Sequence, residues 1–198
     1  MAAASDAPMS NQAILDDMTA WDPNETTAAE ARRVSGNQKG VDELFGERLA
    51  FGTAGLRGPM GPGTCNMNTA VVIQTALGLA KACIAVANKS ETATADAIQT
   101  RGAVIAFDHR ASSEWDESSE RMAVGAAAAL AASGFRVVMF DRFMPTPMVP
   151  FLMREQGALC GCMVTASHNP RQDAGFKVYW QGGAQIVPPV DGDIATAI

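Results

Sequence analysis

Two short, continuous apolar runs, at residues 103–107 and 159–164, most constrain the fold of this chain. Neither run alternates apolar with polar residues, which is typical of strands that are buried on both faces of a sheet. Helical segments with apolar periodicity surround these runs, at residues 68–86, in an Ala-rich stretch at 118–132, and at 148–155. Strands separated by helices predict an α/β fold, a three-layer α-β-α domain with a mixed, mostly parallel sheet.

Residues 1–45 predict an N-terminal helical arm that precedes the sheet domain at residues 46–198. A first helix is expected to end at the turn formed by residues 21–24, and a second short helix is expected to be capped by Thr26 or Thr27. Helices this short are marginally stable alone, so we expect the arm to pack against the domain.

Shorter strands are predicted at residues 48–51, 136–140 and 176–180. The stretch at residues 88–101 is polar and weakly patterned, so we interpret it as a surface connection. A last helix is expected to begin near Asp191. The chain then ends inside that helix, which suggests a fragment or one domain of a larger protein.

Composition and charge exclude several classes of protein. The chain has 15 Lys and Arg against 21 Asp and Glu, a formal net charge of −6, so no excess of positive charge is available to neutralise a nucleic-acid backbone. We expect no nucleic-acid partner and no membrane partner, since no run of about 18 uninterrupted apolar residues occurs. Cysteines without disulfide-like spacing and an N-terminus without a secretory pattern favour a soluble, cytoplasmic protein.

Three of the predicted strands are followed by glycine-rich or polar segments, at residues 52–58, 108–110 and 165–170. Ligands of parallel α/β sheets bind beyond the carboxyl ends of the strands, so we expect these three segments to meet at one edge of the sheet. The candidate functional residues of the protein therefore lie in these segments.

Two arginines, Arg57 and Arg110, would face a loop that holds a hydroxyl, Ser167, and an imidazole, His168. Two guanidinium groups beside a potential nucleophile favour an oxyanion such as phosphate, which each can bind through two hydrogen bonds. The same residues also have plain structural explanations. Ser167 can cap a turn, and His109 is more simply a polar loop residue.

Signatures of several other enzyme classes are missing from the sequence. There is no P-loop, no dinucleotide-binding glycine pattern and no nucleophile elbow around Ser167. The glycine-rich segment 52–58, taken alone, indicates only a turn. Lys177 lies between two apolar residues of a predicted strand, and taken alone it indicates only a solvated strand face.

The segment Thr165-Ala-Ser-His-Asn-Pro170 closely resembles the phosphoserine loop of the α-D-phosphohexomutases. Further segments, in the same order and with similar spacing, resemble the phosphoglucomutase/phosphopentomutase branch of that superfamily: Phe51-Gly-Thr-Ala-Gly-Leu-Arg57, Met60-Gly-Pro62, Pro145-Thr-Pro147, Lys177-Val-Tyr-Trp180 and Gly183-Ala-Gln-Ile186. The resemblance implies the first, phosphoserine-carrying domain of a multidomain enzyme, preceded by the N-terminal arm.

The resemblance implies a role for each matching residue. Ser167 would carry a phosphoryl group, donate it to a sugar phosphate and regain another from the bisphosphorylated intermediate. His168 would serve in acid/base work or orientation, and Asn169 would support the loop. Arg57 and Lys177 would lie beside the transferring group, where Arg57 would disfavour the ammonium form of Lys177 and make the amine a proton acceptor. Substrate binding would also involve Thr53, Gly55 and, in an Asp-x-Arg element, Arg110.

The resemblance further implies the cofactors and the substrates. Mg²⁺ would bind Ser167 through its phosphate, with carboxylate ligands from a later domain, because Asp191 and Asp193 match that metal loop only superficially. Glucose 1,6-bisphosphate would be the activator, and hexose or pentose monophosphates the substrates. Ala174 departs from the Asn that family members often carry before the lysine.

Two functions therefore remain open from the sequence. The first is a phosphosugar mutase that moves a phosphoryl group between the 1-position and the terminal position; without the missing domains, this chain alone would have little or no activity. The alternative is a non-catalytic domain of the same family that binds phosphosugars or a partner protein. A serine hydrolase is not expected, and a fluorophosphonate probe should not label the chain.

Overall fold

The computed structural model describes residues 9–52, 55–89 and 95–198. Across these residues the helices are α1 (Asn11–Trp21), α2 (Glu25–Val34), α3 (Gln38–Phe45), α4 (Thr69–Lys89), α5 (Ala95–Thr100), α6 (Ser119–Ala132), α7 (Met148–Gln156) and α8 (Val190–Ala197). The strands are β1 (Leu56–Pro59), β2 (Ala103–Phe107), β3 (Ala111–Ser112), β4 (Glu117–Ser118), β5 (Val137–Met139), β6 (Cys160–Val164) and β7 (Asp173–Tyr179).

Five of the described strands form one sheet in the order β1-β7-β6-β2-β5. Strands β5, β2 and β6 are parallel to one another, whereas β7 is antiparallel to both β6 and β1. Strand β7 therefore runs against the other four, which confirms the expected mixed, mostly parallel sheet. Because β7 is reversed, it begins at the edge of the sheet where β1, β2 and β6 end.

Helices cover both faces of the sheet, as strand β2 shows. Ala103, Ile105 and Phe107 belong to the larger apolar core, which also contains residues of α4, α6 and α8. Val104 and Ala106 belong to a smaller core that contains residues of α7. Since side chains alternate between the faces of a strand, a strand covered on both faces has no polar positions. The three-layer α-β-α architecture is confirmed.

The cysteines of β6 are packing residues. Cys160 and Cys162 lie two residues apart, share one face of the strand and are buried in the larger core together with Cys83 of α4. All three are free thiols. Burial raises the pKa of the Cys162 thiol well above its usual value, which makes this thiol a poor nucleophile.

Helix α4 is the central helix of the larger core. Its segment Thr69–Val86 is long and apolar enough to cross a membrane by length and composition, with a mean hydropathy of 1.8, although the sequence contains no uninterrupted apolar run of that length. In the fold, 61% of this segment is buried, and the helix packs against α6 and α8. Its apolar character is accounted for by this packing.

The N-terminal arm packs against the larger core. Leu15 of α1, Val34 of α2 and Phe45 of α3 all contribute to that core. The second helix is capped by Asn24 rather than by the predicted threonines, because the Asn24 side chain accepts a hydrogen bond from the N–H of Thr26. Helix α3, with Asn37 as its cap, was not predicted. The division into an arm at residues 1–45 and a domain at 46–198 stays a prediction.

Two local predictions were wrong. Residues 48–51 do not form a strand; strand β1 lies further along, at Leu56–Pro59, where it pairs with the start of β7. Leu49 and Phe51 are apolar because they pack against the core. The polar stretch 88–101 was predicted as a connection, but α4 extends to Lys89 and α5 occupies Ala95–Thr100. Residues 90–94 lie outside the described part of the chain.

Candidate active site

Ser167 lies in the loop that leaves strand β6, with an exposed side chain. Its φ is 58°, a left-handed conformation that residues other than glycine rarely adopt. Two hydrogen bonds, both 3.0 Å long, shape the turn: the N–H of Ser167 donates to Oγ1 of Thr165, and the N–H of Asn169 donates to the carbonyl of Ala166. Residues in such conformations cluster at functional sites, which supports a functional interpretation of Ser167.

Strand pairing places three polar side chains on one face of the sheet beside this loop. Arg57 of β1 pairs with Gly175 of β7, two residues before Lys177. Lys177 in turn pairs with Met163 of β6, two residues before Thr165. Residues that pair across strands, or that lie two apart in one strand, share a face. Arg57, Lys177 and Thr165 therefore project from the same face near the loop that carries Ser167.

Lys177 is not a fully solvated lysine. Its partial burial is the main cause that lowers the pKa of its ammonium group, and the nearby Arg57 guanidinium lowers that pKa further. The carboxylate of Asp108 partly offsets the effect. The neutral amine is therefore reached at a lower pH than for an exposed lysine, and Arg57 and Lys177 together make this edge of the sheet electropositive.

Arg57 is connected to the loop through Asn169. The Nη1 of Arg57 donates a hydrogen bond of 3.0 Å to Oδ1 of Asn169, and Nδ2 of Asn169 donates one of 2.9 Å to Oδ2 of Asp173, at the start of β7. The amide thus joins β1, the loop and β7. The Arg57 residue is otherwise exposed at the surface.

Arg110 and Asp108 lie on the other side of the loop, just after β2. The Nε of Arg110 donates to Oδ2 of Asp108 at 3.0 Å. Its two terminal nitrogens donate to four backbone carbonyls of the loop: those of Ser167 and Asn169, each at 2.9 Å, Pro170 at 2.6 Å and Asp173 at 3.0 Å. The sequence analysis placed Arg110 among the substrate-binding residues, but in this arrangement all five of its N–H donors are engaged within the protein.

A cleft of about 430 Å³ lies between Asp108, His109 and Arg110 on one side and Ser167 and Asn169 on the other. His109 is exposed, and its ring lies edge-on to Phe143 with the ring centroids 6.2 Å apart. Such a position fits the interpretation of His109 as a loop residue.

His168 follows Ser167 directly and is also exposed. The structure therefore brings Ser167, His168, Asn169, Arg57 and Lys177 to the same edge of the sheet. The assignment of His168 to acid/base work or orientation stays a prediction.

Two positions in or next to the neighbouring strands are set by close packing. Gly55 has φ 86°, and a Cβ built there would lie 1.9 Å from the carbonyl oxygen of Phe176, so this position requires glycine. Its predicted role in substrate binding stays a prediction. Ala174 is fully buried in the larger core, where an Asn would need buried hydrogen-bond partners. Thr53, the other predicted binding residue, lies outside the described part of the chain.

Asp108, Thr165 and Ser119 were not singled out as site residues from the sequence, although the first two lie in segments that were expected to carry the site. Asp108 accepts hydrogen bonds from the hydroxyls of both Thr165 and Ser119, each at 2.6 Å, besides those from Arg110. The available signal was a carboxylate directly after a strand that is buried on both faces, beside the loop of interest. Its partners could not be deduced, because Ser119 is brought to it by the intervening β3–β4 hairpin.

The described residues do not supply a metal site. Among them there is no group of three or more His, Cys, Asp or Glu side chains that could hold an ion. Asp191 and Asp193 lie in the first turn of α8, which packs against α4. The residues present do not match the oxygen-rich ligand set that Mg²⁺ requires, so no step of the chemistry is assigned to a metal here.

Comparison with known proteins places this site in a family context. Residues 48–198 match the model of the phosphoglucomutase/phosphomannomutase α/β/α domain I. Human phosphopentomutase is 41% identical over an alignment 204 residues long, which covers 100% of this chain and 32% of that protein. Human glucose 1,6-bisphosphate synthase is 39% identical over 180 residues, which span 90% of this chain and 28% of that protein.

A solved structure of a phosphomannomutase homologue from Thermus thermophilus shares the fold, with a TM-score of 0.59 and 24% identity over 77% of this chain and 30% of its own. At that identity the likeness supports the architecture alone. The chain spans about a third of the length of the curated relatives, at 32% of human phosphopentomutase. Those relatives therefore contain long regions that have no counterpart in this chain.

Proposed function

Because this chain belongs to the phosphoglucomutase/phosphomannomutase family, as its α/β/α domain I, we propose that it carries the phosphoryl-transferring serine of a phosphosugar mutase. The complete protein would move a phosphoryl group between the 1-position and the terminal position of hexose or pentose monophosphates. The transfer would pass through phosphorylated Ser167 and a bisphosphorylated sugar. The named relatives, a phosphopentomutase and a glucose 1,6-bisphosphate synthase, support this class of substrate.

The proposal is carried by the position of Ser167 and by the side chains around it. Its side chain is exposed in a left-handed turn, at an edge of the sheet where Arg57 and the partly buried Lys177 provide positive charge. Within the described residues, the Ser167 hydroxyl makes no hydrogen bond to another group of the protein. Phosphoryl transfer needs alignment and electrostatic stabilisation more than covalent assistance. The turn fixes the position of Ser167, the Arg57 guanidinium supplies positive charge near the loop, and Lys177 supplies an amine with a lowered pKa.

We propose a transfer step that uses these positions. A sugar hydroxyl attacks the phosphorus of phosphorylated Ser167, a P–O bond to the sugar forms, and the bond from phosphorus to the serine Oγ breaks. We propose that the proton of the sugar hydroxyl passes to the neutral amine of Lys177, and that the Oγ of Ser167 keeps the electron pair of the broken bond and takes up a proton from solvent. Arg57 would stabilise the charge on the transferring group, with His168 aiding acid/base work or orientation and Asn169 supporting the loop.

Further parts of the proposal depend on regions that lie outside this chain. In keeping with the family resemblance, the complete protein would use Mg²⁺, with the serine phosphate as one ligand, and glucose 1,6-bisphosphate as activator. A sugar phosphate and the remaining domains would be the partners, and the cytoplasm the compartment. The choice between pentose and hexose substrates would be made by those other domains.

The test is turnover by the complete gene product. With glucose 1,6-bisphosphate and Mg²⁺ present, the wild type should convert glucose 1-phosphate or ribose 1-phosphate, and Ser167→Ala should show no activity above background. Ser113→Ala, in an exposed hairpin position, is the matched control and should retain full activity. Wild-type protein that binds sugar phosphates without converting them would support a binding domain instead.

A further inference from the structure

We infer that Arg110 is a positioning residue for Ser167. Arg110 holds the serine loop through the backbone carbonyls of the loop, and other groups bind the substrate phosphate. The inference rests on the proposed function, because it concerns how the transferring serine is held. It assigns a task to a residue that sequence reasoning placed in the substrate-binding set.

Every N–H donor of the Arg110 guanidinium is engaged within the protein. An arginine has five N–H donors in a planar fork. In Arg110 one of these donors binds the Asp108 carboxylate, and the other four bind the carbonyls of Ser167, Asn169, Pro170 and Asp173. Its side chain is 10% exposed. A substrate phosphate would have to break one of these bonds before it could bind Arg110.

The shape of the loop supports the same role. Four carbonyl oxygens of a short segment converge on one point, where their partial negative charges would repel one another without a cation between them. The loop also contains Ser167 at a φ of 58°, a conformation that the surroundings must enforce. A cation with several donors in fixed directions offsets the repulsion between the carbonyls and also holds the backbone of the loop in its left-handed conformation.

A hydrogen-bond chain lies on the far side of Arg110. Asp108 accepts from Arg110 and from Oγ1 of Thr165, and Thr165 in turn accepts from the N–H of Ser167 at 3.0 Å. Ser119, at the start of α6, donates to the second oxygen of Asp108 at 2.6 Å. The loop is thus held through the carbonyl of Ser167 by Arg110 and through its N–H by Thr165, with Asp108 joining the two.

Substituting Arg110 by Lys and by Gln tests the inference in the complete gene product. The ammonium of Lys keeps the positive charge but has three donors, so it cannot bind four carbonyls and a carboxylate together. We expect kcat for glucose 1-phosphate, measured with glucose 1,6-bisphosphate, to fall by about 100-fold in both variants while KM changes little, because a small displacement of a reacting group has an effect of that size. Arg142→Lys, an exposed arginine paired with its neighbour Asp141, is the control and should behave as wild type.

Hydrogen exchange of the backbone amides at residues 165–173, measured without any sugar phosphate, reports on the loop itself. Exchange should become faster in Arg110→Lys and Arg110→Gln and stay unchanged in Arg142→Lys. Ser119→Ala removes one hydrogen bond to Asp108 and should give a smaller increase, which keeps the test open if an Arg110 variant does not fold.

The possible outcomes separate the two proposals. Unchanged loop exchange in a folded Arg110 variant, or a raised KM with kcat preserved in Arg110→Lys, would overturn the inference and return Arg110 to substrate binding. Faster loop exchange in a protein whose wild type transfers no phosphoryl group would uphold the holding of the loop and reject the proposed function.

Discussion

At the scale of single residues, the chemistry of the site depends on the surroundings of Lys177, which is partly buried and close to an arginine. Lys177 shares its face of the sheet with the buried residues Met163, its cross-strand partner, and Tyr179, and its ammonium group is partly removed from water. Arg57 lies on the same face of the neighbouring strand and repels the charged form of Lys177. A lysine whose pKa is lowered in this way is available as a proton acceptor at a lower pH than a solvated lysine.

Replacement of Lys177 by Met should slow phosphoryl transfer in the complete gene product by about 100-fold, the contribution typical of a general base. In the wild type, the rate should rise with pH as the Lys177 ammonium loses its proton, with a midpoint below the usual lysine pKa. That limb of the pH–rate profile should be missing in Lys177→Met. The exposed Lys39→Met is the matched control.

If Lys177→Met transferred the phosphoryl group at the wild-type rate, with the same pH profile, the proposed role of Lys177 as proton acceptor would be wrong. The sign of the shift is also testable, because a midpoint above the usual lysine pKa would contradict the partial burial and the repulsion by Arg57.

At the scale of elements, the β3–β4 hairpin connects the site to the N-terminal arm. The hairpin follows Arg110 directly and ends just before Ser119, and both residues contact Asp108. Asn24, fully buried at the start of α2, donates to the hairpin carbonyls of Trp115 and Asp116.

Asn24 also donates to Glu117 of the hairpin at 2.8 Å. Glu117 in turn accepts from the N–H and the hydroxyl of Thr69 at the start of α4. Burial raises the pKa of the Glu117 carboxyl, which indicates how closely this junction is enclosed. Arm, hairpin and central helix are therefore joined by one buried polar network.

Replacement of Asn24 by Ala should destabilise the protein by about 2–4 kcal/mol, because it removes a helix cap and leaves buried hairpin groups without their donor. Asn37→Ala is the matched control, since Asn37 also caps a helix, α3, through a side-chain contact that is local to that cap. The control should lose only about 1 kcal/mol, the usual contribution of a cap. Urea denaturation measures both, and equal losses would show that the hairpin contacts of Asn24 contribute nothing.

The sequence predicted the fold class of the sheet well, and it failed where long-range contacts decide. The apolar runs at β2 and β6 identify buried strands without knowledge of their neighbours, because burial on both faces removes all polar positions. Strand β1 was misplaced because its sequence, Leu56–Pro59, is only half apolar, and its pairing with β7 selects it. The hydrogen-bond partners of Arg110 could not be predicted, because four of the five are backbone carbonyls, which any residue type supplies.

At the scale of the whole molecule, most of the described elements share one apolar core. The arm, the sheet and helices α4, α6 and α8 share the larger core. The described residues contain no metal-binding cluster, and the relatives extend well beyond the aligned region, which is 32% of human phosphopentomutase. Under the proposed function, further substrate contacts and the carboxylate ligands would come from such regions of the complete protein.

The chain of 198 residues, expressed alone, should therefore fold cooperatively but convert no measurable glucose 1-phosphate, even with Mg²⁺ and glucose 1,6-bisphosphate. Thermal unfolding followed by circular dichroism tests the first expectation, and a coupled mutase assay tests the second. The complete gene product, at the same molar concentration, is the positive control. Full turnover by the isolated chain would show that it contains everything the reaction needs.

The most direct test of the account is the mass of the complete gene product after incubation with glucose 1,6-bisphosphate and Mg²⁺. We predict a gain of one phosphoryl group, located on Ser167 by fragmentation and lost again when glucose 1-phosphate is added in excess. A protein that gains no phosphoryl group, or gains it on another residue, would contradict the assignment of Ser167 as the transferring group.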